Sequence, residues 1–402
     1  MARETVLEQT LGREICMMKR LGDYIRPVDV RNRDLKVERL LGISVTKEFI
    51  PSIANTIGTD MSSYKIVYPN QFVYIADTSR RGDKIAIAYL KENEEPALVS
   101  AIYTVFEVVD TNALDPEYLM MWFRRPEFDR YARFHSHGSA REVFDWDEMC
   151  EVQVPVPAIE KQREIVAEYN TLATRIETNK KLIATLEQTA GALYRHTFVD
   201  NIDPNNLPQG WRMGTIGDLC DVSSSKRIFE NEYCDEGIPF YRGKEITQKK
   251  NGEPISDLIY ISNDRYQELV QKYGKPEEGD ILLTAVGTLG NSYMVQQEEF
   301  YFKDGNLVWL NNFIEDGVNF YLYAFMQTSV FEDKIVEISI GSTQKAITIS
   351  SLLKLAILIP TADVLKTFAK DYQDLYSHVI LKNEENLKIQ QTQTLLLSKM
   401  GA

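Results

Sequence analysis

The sequence predicts a mixed α/β (α+β) protein made of two globular domains in tandem, each followed by a long helix, the two helices pairing as an antiparallel coiled coil. Three observations predict it. Motifs recur with a period of about 200 residues. Each recurring unit mixes short β-type runs with helical ones. Each unit closes on a proline, after which a long apolar heptad pattern begins.

In chain order, residues 1–157 form a first domain, 158–200 a central helix, 201–360 a second domain and 361–402 a C-terminal helix. Leu21-Gly22-Asp23 near the start of the first domain is answered by Ile216-Gly217-Asp218 in the second. Within the domains, Lys84–Tyr89 and Asp280–Thr284 read as strands, and Glu117–Tyr131 and Val318–Phe331 as helices. Gly138-Ser139 precedes Pro157 by 19 residues, and Gly341-Ser342 precedes Pro360 by the same 19. Both prolines are expected at the first helical position, where no N–H is needed, with Glu160 and Asp363 facing the positive end of the helix dipole.

The central helix carries Ile165, Tyr169, Leu172, Ile176, Asn179, Ile183, Leu186, Ala190 and Leu193 at alternating steps of four and three, a coiled-coil seam. Asn179 lies on that seam, where one polar residue fixes register at some cost in stability. The C-terminal helix repeats the pattern as Phe368, Tyr372, Leu375 and Val379; beyond them Leu387, Leu395 and Leu396 suggest a slipped register. Two amphipathic helices packed separately, each on its own domain, is the alternative. The Asp200–Gly210 segment, rich in Asp, Asn and Pro, reads as an irregular connection.

At 402 residues, with 44% hydrophobic and 26% charged residues, the chain has the composition of a globular protein. It contains no apolar run of the roughly 18 residues a membrane span requires. Its four cysteines show no paired spacing and read as reduced thiols of a cytoplasmic protein. The net charge of -14 argues on its face against nucleic acid, but it is unevenly spread. The two domains carry -5 and -9 and the helices 0 each, so local basic faces remain possible.

Catalytic signatures are missing. There is no phosphate loop, no dinucleotide fingerprint, no adenine-methyltransferase motif and no nucleophile elbow. Gly237–Glu245 misses a phosphate loop by one residue too many and a Glu in place of the hydroxyl. His135-Ser-His137 reads as a polar loop rather than a metal site, and Glu332-Asp-Lys334, with Asp316 upstream, as the end of an amphipathic helix. No catalytic and no metal-binding residue is assigned.

DNA reading requires Lys and Arg for phosphates and polar side chains for base edges. The candidates are Arg31, Arg33, Arg80, Arg81 and Lys84 in the first domain, and Lys226, Arg227, Arg242, Lys244, Lys249 and Lys250 in the second. Their clusters are polar and flanked by glycine, which places them in loops. Arg124, Arg125, Arg130 and Arg133 read as basic residues of a helix, open to pairing with Glu127 and Asp129.

Over essentially its whole length the chain resembles the specificity subunit of type I restriction-modification systems. The first domain carries the resemblance in Tyr64-Lys-Ile-Val67, Arg81-Gly-Asp-Lys-Ile85, Glu117-Tyr-Leu-Met120, Glu127-Phe-Asp-Arg130, Gly138-Ser-Ala-Arg-Glu142 and Phe144–Met149. The second carries it in Pro208-Gln-Gly-Trp211, Gly237–Ile246, Gly279–Thr284, Tyr301–Leu307 and Gly341-Ser-Thr-Gln344.

The resemblance implies that each domain is a target-recognition domain reading one half of a split, asymmetric site in double-stranded DNA. It implies that the paired helices act as spacer and dock two methyltransferase subunits, which hold S-adenosylmethionine and methylate adenine N6. Nuclease-translocase subunits, using ATP and Mg, complete the restriction enzyme. On this reading the chain itself is non-catalytic and binds no cofactor. The rival reading is a coiled-coil adaptor whose domains bind protein or another ligand without DNA specificity, which the acidic charge mildly favours.

Overall fold

The computed structural model describes residues 18–52, 58–77, 84–138, 142–200, 202–341 and 345–400. The chain divides into two compact units: one runs to Arg175 and takes in the segment from Gln390 onward, and the other is Ile176–Ile389. Each unit therefore contains a piece of both long helices.

The first unit contains β1 (Met18–Arg20), β2 (Ile25–Val28), β3 (Leu41–Ile43), β4 (Phe49–Pro51), β5 (Lys65–Val67), β6 (Gln71–Tyr74), β7 (Ile87–Tyr89), β8 (Ala97–Val99) and β9 (Thr104–Val108). These are followed by α1 (Pro116–Phe123), α2 (Pro126–Phe134), α3 (Trp146–Glu151), β10 (Gln153–Pro155) and the start of α4 (Ile159–Phe198). Four antiparallel strands form the central sheet in the order β2-β9-β6-β7, and β1 closes against β10. The core is aromatic. Phe72 stacks on Phe106 at 4.9 Å, and Phe123 packs edge-on to both.

The second unit repeats this plan with β11 (Arg212–Thr215), β12 (Asp221–Ser223), β13 (Tyr233–Cys234), β14 (Ile238–Tyr241), α5 (Gly243–Lys250), β15 (Ile259–Ile261), α6 (Asn263–Tyr273), β16 (Ile281–Thr284), β17 (Ser292–Met294), β18 (Tyr301–Phe302) and β19 (Leu307–Asn311). It continues through α7 (Val318–Phe325), α8 (Ser329–Ile338), α9 (Ile349–Leu353), β20 (Ala356–Ile359) and the part of α10 (Ala362–Lys399) up to Ile389. Its central sheet runs β12-β19-β16-β17, the same order as in the first unit, and β11 pairs with β20 as β1 does with β10. The units differ in what decorates that frame. The first adds two small antiparallel pairs, β3-β4 and β5-β8, whereas the second adds a four-stranded sheet β13-β15-β14-β18.

Two expected helices are each two. Pro126 cannot continue the hydrogen-bond ladder of α1, so it opens α2 instead. In the second unit the chain breaks after α7, and Thr328 caps α8 by accepting from the Phe331 N–H. Pro157 and Pro360 stand two positions further out than expected, since α4 opens at Ile159 and α10 at Ala362. The carbonyls of Ala158 and Thr361 accept the first helical bonds, so each proline precedes the cap rather than following it. Gln162, fully buried, fixes the start of α4: its amide donates to the carbonyls of Ala113 and Pro157 and accepts from the Asp115 N–H.

The heptad seam is visible in burial. Ile165, Tyr169, Leu172, Ile176, Ile183, Leu186, Ala190 and Leu193 are half-buried on α4, and Asn179 is buried. On α10, Leu365, Phe368, Tyr372, Leu375, Val379, Asn386, Gln393 and Leu397 are buried or half-buried at the same alternation, and Met400 just past its end continues it. The expected register slip does not occur. Leu395 is exposed, and the seam passes instead through Lys382, Asn386 and Gln393, polar residues that hide it from an apolar count. Within the first unit, Ile165, Val166 and Tyr169 pack in one core with Leu396, Leu397 and Met400. Within the second, Ala190, Leu193, Tyr194 and Phe198 pack with Leu365, Phe368 and Tyr372. The beginning of one helix meets the end of the other in both units, which is antiparallel packing.

Candidate nucleic-acid interface

In each unit the first strand of the central sheet leads into a loop that carries basic residues. In the second unit this loop follows β12. The Ser224 and Ser225 hydroxyls donate to the carbonyls of Leu307 and Phe302, pinning the loop on both sides of the turn between β18 and β19. Lys226 and Arg227 are exposed at its tip. The Lys226 ammonium lies 4.7 Å from the Tyr273 ring centre, and Arg227 donates to Asp304 across 3.2 Å. Arg227, Arg242 and Lys303 come together along a cleft of about 630 Å³, with Phe229, Asn306 and Gly305 beside them. Two of the predicted basic residues, Arg227 and Arg242, meet there.

The other basic residues predicted in the second domain, Lys244, Lys249 and Lys250, are engaged elsewhere. The cluster ending in Lys249 and Lys250 is the last turn of α5, not a loop. Arg242 is braced by Glu245, whose side chain is wholly buried: its guanidinium donates to both carboxylate oxygens, at 3.1 and 2.6 Å. Burial pushes the Glu245 carboxyl up, but hydrogen bonds from the Arg242 side chain and backbone win and hold it below its ordinary value. Lys244 pairs with Asp257 at 2.9 Å on the surface. Lys249 turns inward to Glu298 at 2.6 Å and lies over the Tyr241 and Tyr293 rings. Lys250 is half-buried beside Asn291, and desolvation lowers its pKa. A phosphate would have to displace buried partners to reach Lys249, whereas Arg227 holds only a surface pair of small worth.

In the first unit the equivalent loop follows β2. Arg31 donates to the Ser63 carbonyl and pairs with Asp29, which this contact holds below the usual carboxylate range. Arg33 is exposed two residues further on, and Lys65 donates to the Tyr103 carbonyl at the turn before β9. Lys84 is exposed at the edge of the described chain, and Arg80 and Arg81 lie outside the described residues. Arg124 covers the Tyr169 ring, Arg125 packs on Trp122, Arg130 pairs with Glu127 and Arg133 with Glu142. Asp129 is taken by Lys47 at 2.5 Å, a buried pair that no spacing in the sequence announces.

His135 and His137 face the two oxygens of Glu148, at 3.3 and 3.4 Å. Glu332-Asp-Lys334 lies on α8. Among the described residues no group of three or more His, Cys, Asp or Glu side chains is placed to hold a metal ion, and no helix is long and apolar enough to cross a membrane. Sequence reasoning missed Lys303, Asn306 and Phe229; the first two belong to the Tyr301–Leu307 motif, which offered a signal.

Two copies of one α/β frame, each joined to a long helix and each presenting basic residues on the loop after its first sheet strand, define a tandem-domain protein with a duplicated frame. The family profile of the type I restriction modification DNA specificity domain matches residues 25–188 and 208–391, and the chain belongs to that family. It is similar to a putative type I restriction enzyme specificity subunit of Haemophilus influenzae, with 31% identity over 231 residues. That alignment covers 56% of this chain and 55% of the relative, so the chain spans about half the length of that protein. The MjaIX specificity subunit of Methanocaldococcus jannaschii is 23% identical over 312 residues, covering 73% of this chain and 70% of its own. The crystal structure of a type I restriction-modification S subunit from M. genitalium shares the fold, with a TM-score of 0.58 at 12% identity, covering 96% and 95% of the two chains.

Proposed function

We propose that this chain is the non-catalytic DNA-reading subunit of a type I restriction-modification enzyme, each unit reading one half of a bipartite asymmetric site. The observation that carries this reading is the duplication: two specificity-domain matches fall on two units with the same sheet order and different decorating sheets. A common frame with divergent additions suits a reader of two unlike half-sites. Lys226, Arg227 and Lys303 in the second unit and Arg31 and Arg33 in the first are the contacts this reading favours, phosphates fixing register and neighbouring polar side chains reading base edges.

The paired helices serve as spacer and as the docking surface for two methyltransferase subunits. Those partners carry S-adenosylmethionine and methylate adenine N6; nuclease-translocase subunits bring ATP and Mg, and this chain binds no cofactor itself. The test is binding of the chain with its methyltransferase to duplex DNA over a range of salt. A steep fall of log affinity against log salt, with one duplex preferred, is expected. Binding indifferent to sequence would favour the adaptor reading.

A further inference from the structure

Both units expose a large apolar side chain at the same topological place, two residues after an exposed arginine. In the first unit the loop after β2 carries Arg33-Asp34-Leu35, and Leu35 is 56% exposed; in the second the loop after β12 carries Arg227-Ile228-Phe229, and Phe229 is 60% exposed. Isolated exposed apolar residues are common. These two recur at equivalent positions in domains whose sequences have diverged, and each is held there by a buried or braced side chain.

Leu35 has a φ of 55°, a left-handed conformation that a branched side chain rarely adopts. Asn32, only 1% exposed, imposes it: its amide donates to the Val37 carbonyl and accepts from the Val37 N–H, while the Leu35 N–H donates to the Asn32 carbonyl. Phe229 is held differently. Its N–H donates to the Glu232 carboxylate at 2.8 Å, and Glu232 in turn pairs with Arg265 at 2.9 Å. Among the carboxylates nearby, Asp34 pairs with Lys36 and Asp304 with Arg227, surface pairs that a phosphate can rearrange, while Glu230 beside Phe229 is exposed.

We infer that Leu35 and Phe229 are the apolar wedges with which the two domains engage duplex DNA, each pressed into a base step while the arginine beside it holds a phosphate. The inference rests on the DNA-reading role proposed above and adds a readout that needs no hydrogen bond. An inserted Phe or Leu partly unstacks one step, and the energy required depends on which bases are unstacked. Pyrimidine–purine steps yield most easily, so each half-site should contain or adjoin one.

The test uses the full chain in complex with its methyltransferase and a duplex bearing the site found by methylation mapping, with 2-aminopurine at the suspected step. Phe229→Ala and Leu35→Ala should each weaken site-specific binding about tenfold or more and quench the fluorescence rise, leaving the salt slope unchanged. Phe229→Trp should retain both signals, and Arg227→Ala should lower the salt slope. Partner binding and non-specific DNA binding confirm that each variant is folded. Undiminished selective binding by both alanine variants, or weakened binding with an unchanged fluorescence rise, would overturn the wedge alone. Absence of site-selective binding by the unmodified complex would overturn the DNA-reading role and the wedge with it.

Discussion

The Asn179 side-chain N–H donates to the side-chain Oδ1 of Asn386 across 3.0 Å, joining α4 to α10 between residues 207 positions apart in sequence, both buried. Each amide would be costly without the other, so only the register that brings them face to face is favoured. Asn179→Leu alone should destabilise the chain by about 1–3 kcal/mol, because it strands a buried amide. Replacing both by Leu should raise the urea midpoint above that of the natural chain while admitting other pairings, visible as mixed cross-links between cysteines placed along the helices. A neutral single substitution would show that the pair does not set register.

The sequence made half of that pair legible. Asn179 interrupts an apolar seam and is conspicuous there, whereas Asn386 sits among Lys382, Asn383 and Gln393, where no apolar rhythm remains to mark it. The repeat, the β-type runs and the long helices were readable because periodicity and proline placement are local. The basic residues were readable as a list but not as a site. Whether Lys249 faces solvent or Glu298 depends on which side of α5 packs, and the strands that decide this, β16 and β17 of the central sheet together with β14, come from separate stretches of the chain. Lys47 and Asp129, 82 residues apart, illustrate the same limit.

Glu245 should act as a structural anchor. Its folded pKa is depressed, so its stabilisation is fully present above the unfolded carboxylate value of about 4.3 and is lost as pH falls through the folded pKa. Glu245→Ala should cost about 2–3 kcal/mol at neutral pH, at the lower end for a buried pair because Arg242 is partly solvated. It should also flatten the acid limb of the stability profile. Denaturant midpoints between pH 3 and 7 test this, and an unchanged acid limb would contradict it.

Lys226 and Arg227 should serve only the half-site read by the second unit. Alanine at both should reduce the salt slope by about 1–2 if they hold phosphates, or relax one base position by about 1–3 kcal/mol if one of them reads a base. Binding to single-base variants of both half-sites distinguishes these outcomes. Equal relaxation in both halves would argue against one reader per half.

The long helices expose Leu182, Leu381 and Leu395 outside their shared seam. Co-expression with the methyltransferase should therefore improve recovery of the chain and yield a complex with two partners per chain, measured as mass by light scattering. A single partner per chain would show that only one of the duplicated surfaces is used.

Mapping N6-methyladenine by single-molecule sequencing, in a host carrying the methyltransferase with and without this chain, addresses the central claim most directly. Methylation should depend on this chain and fall at one motif, made of two unlike specific blocks separated by a fixed run of unspecified bases. Exchange of the second domain alone should change one block and leave the other intact. A single continuous motif, or methylation at the same sites without the chain, would contradict the two-reader account.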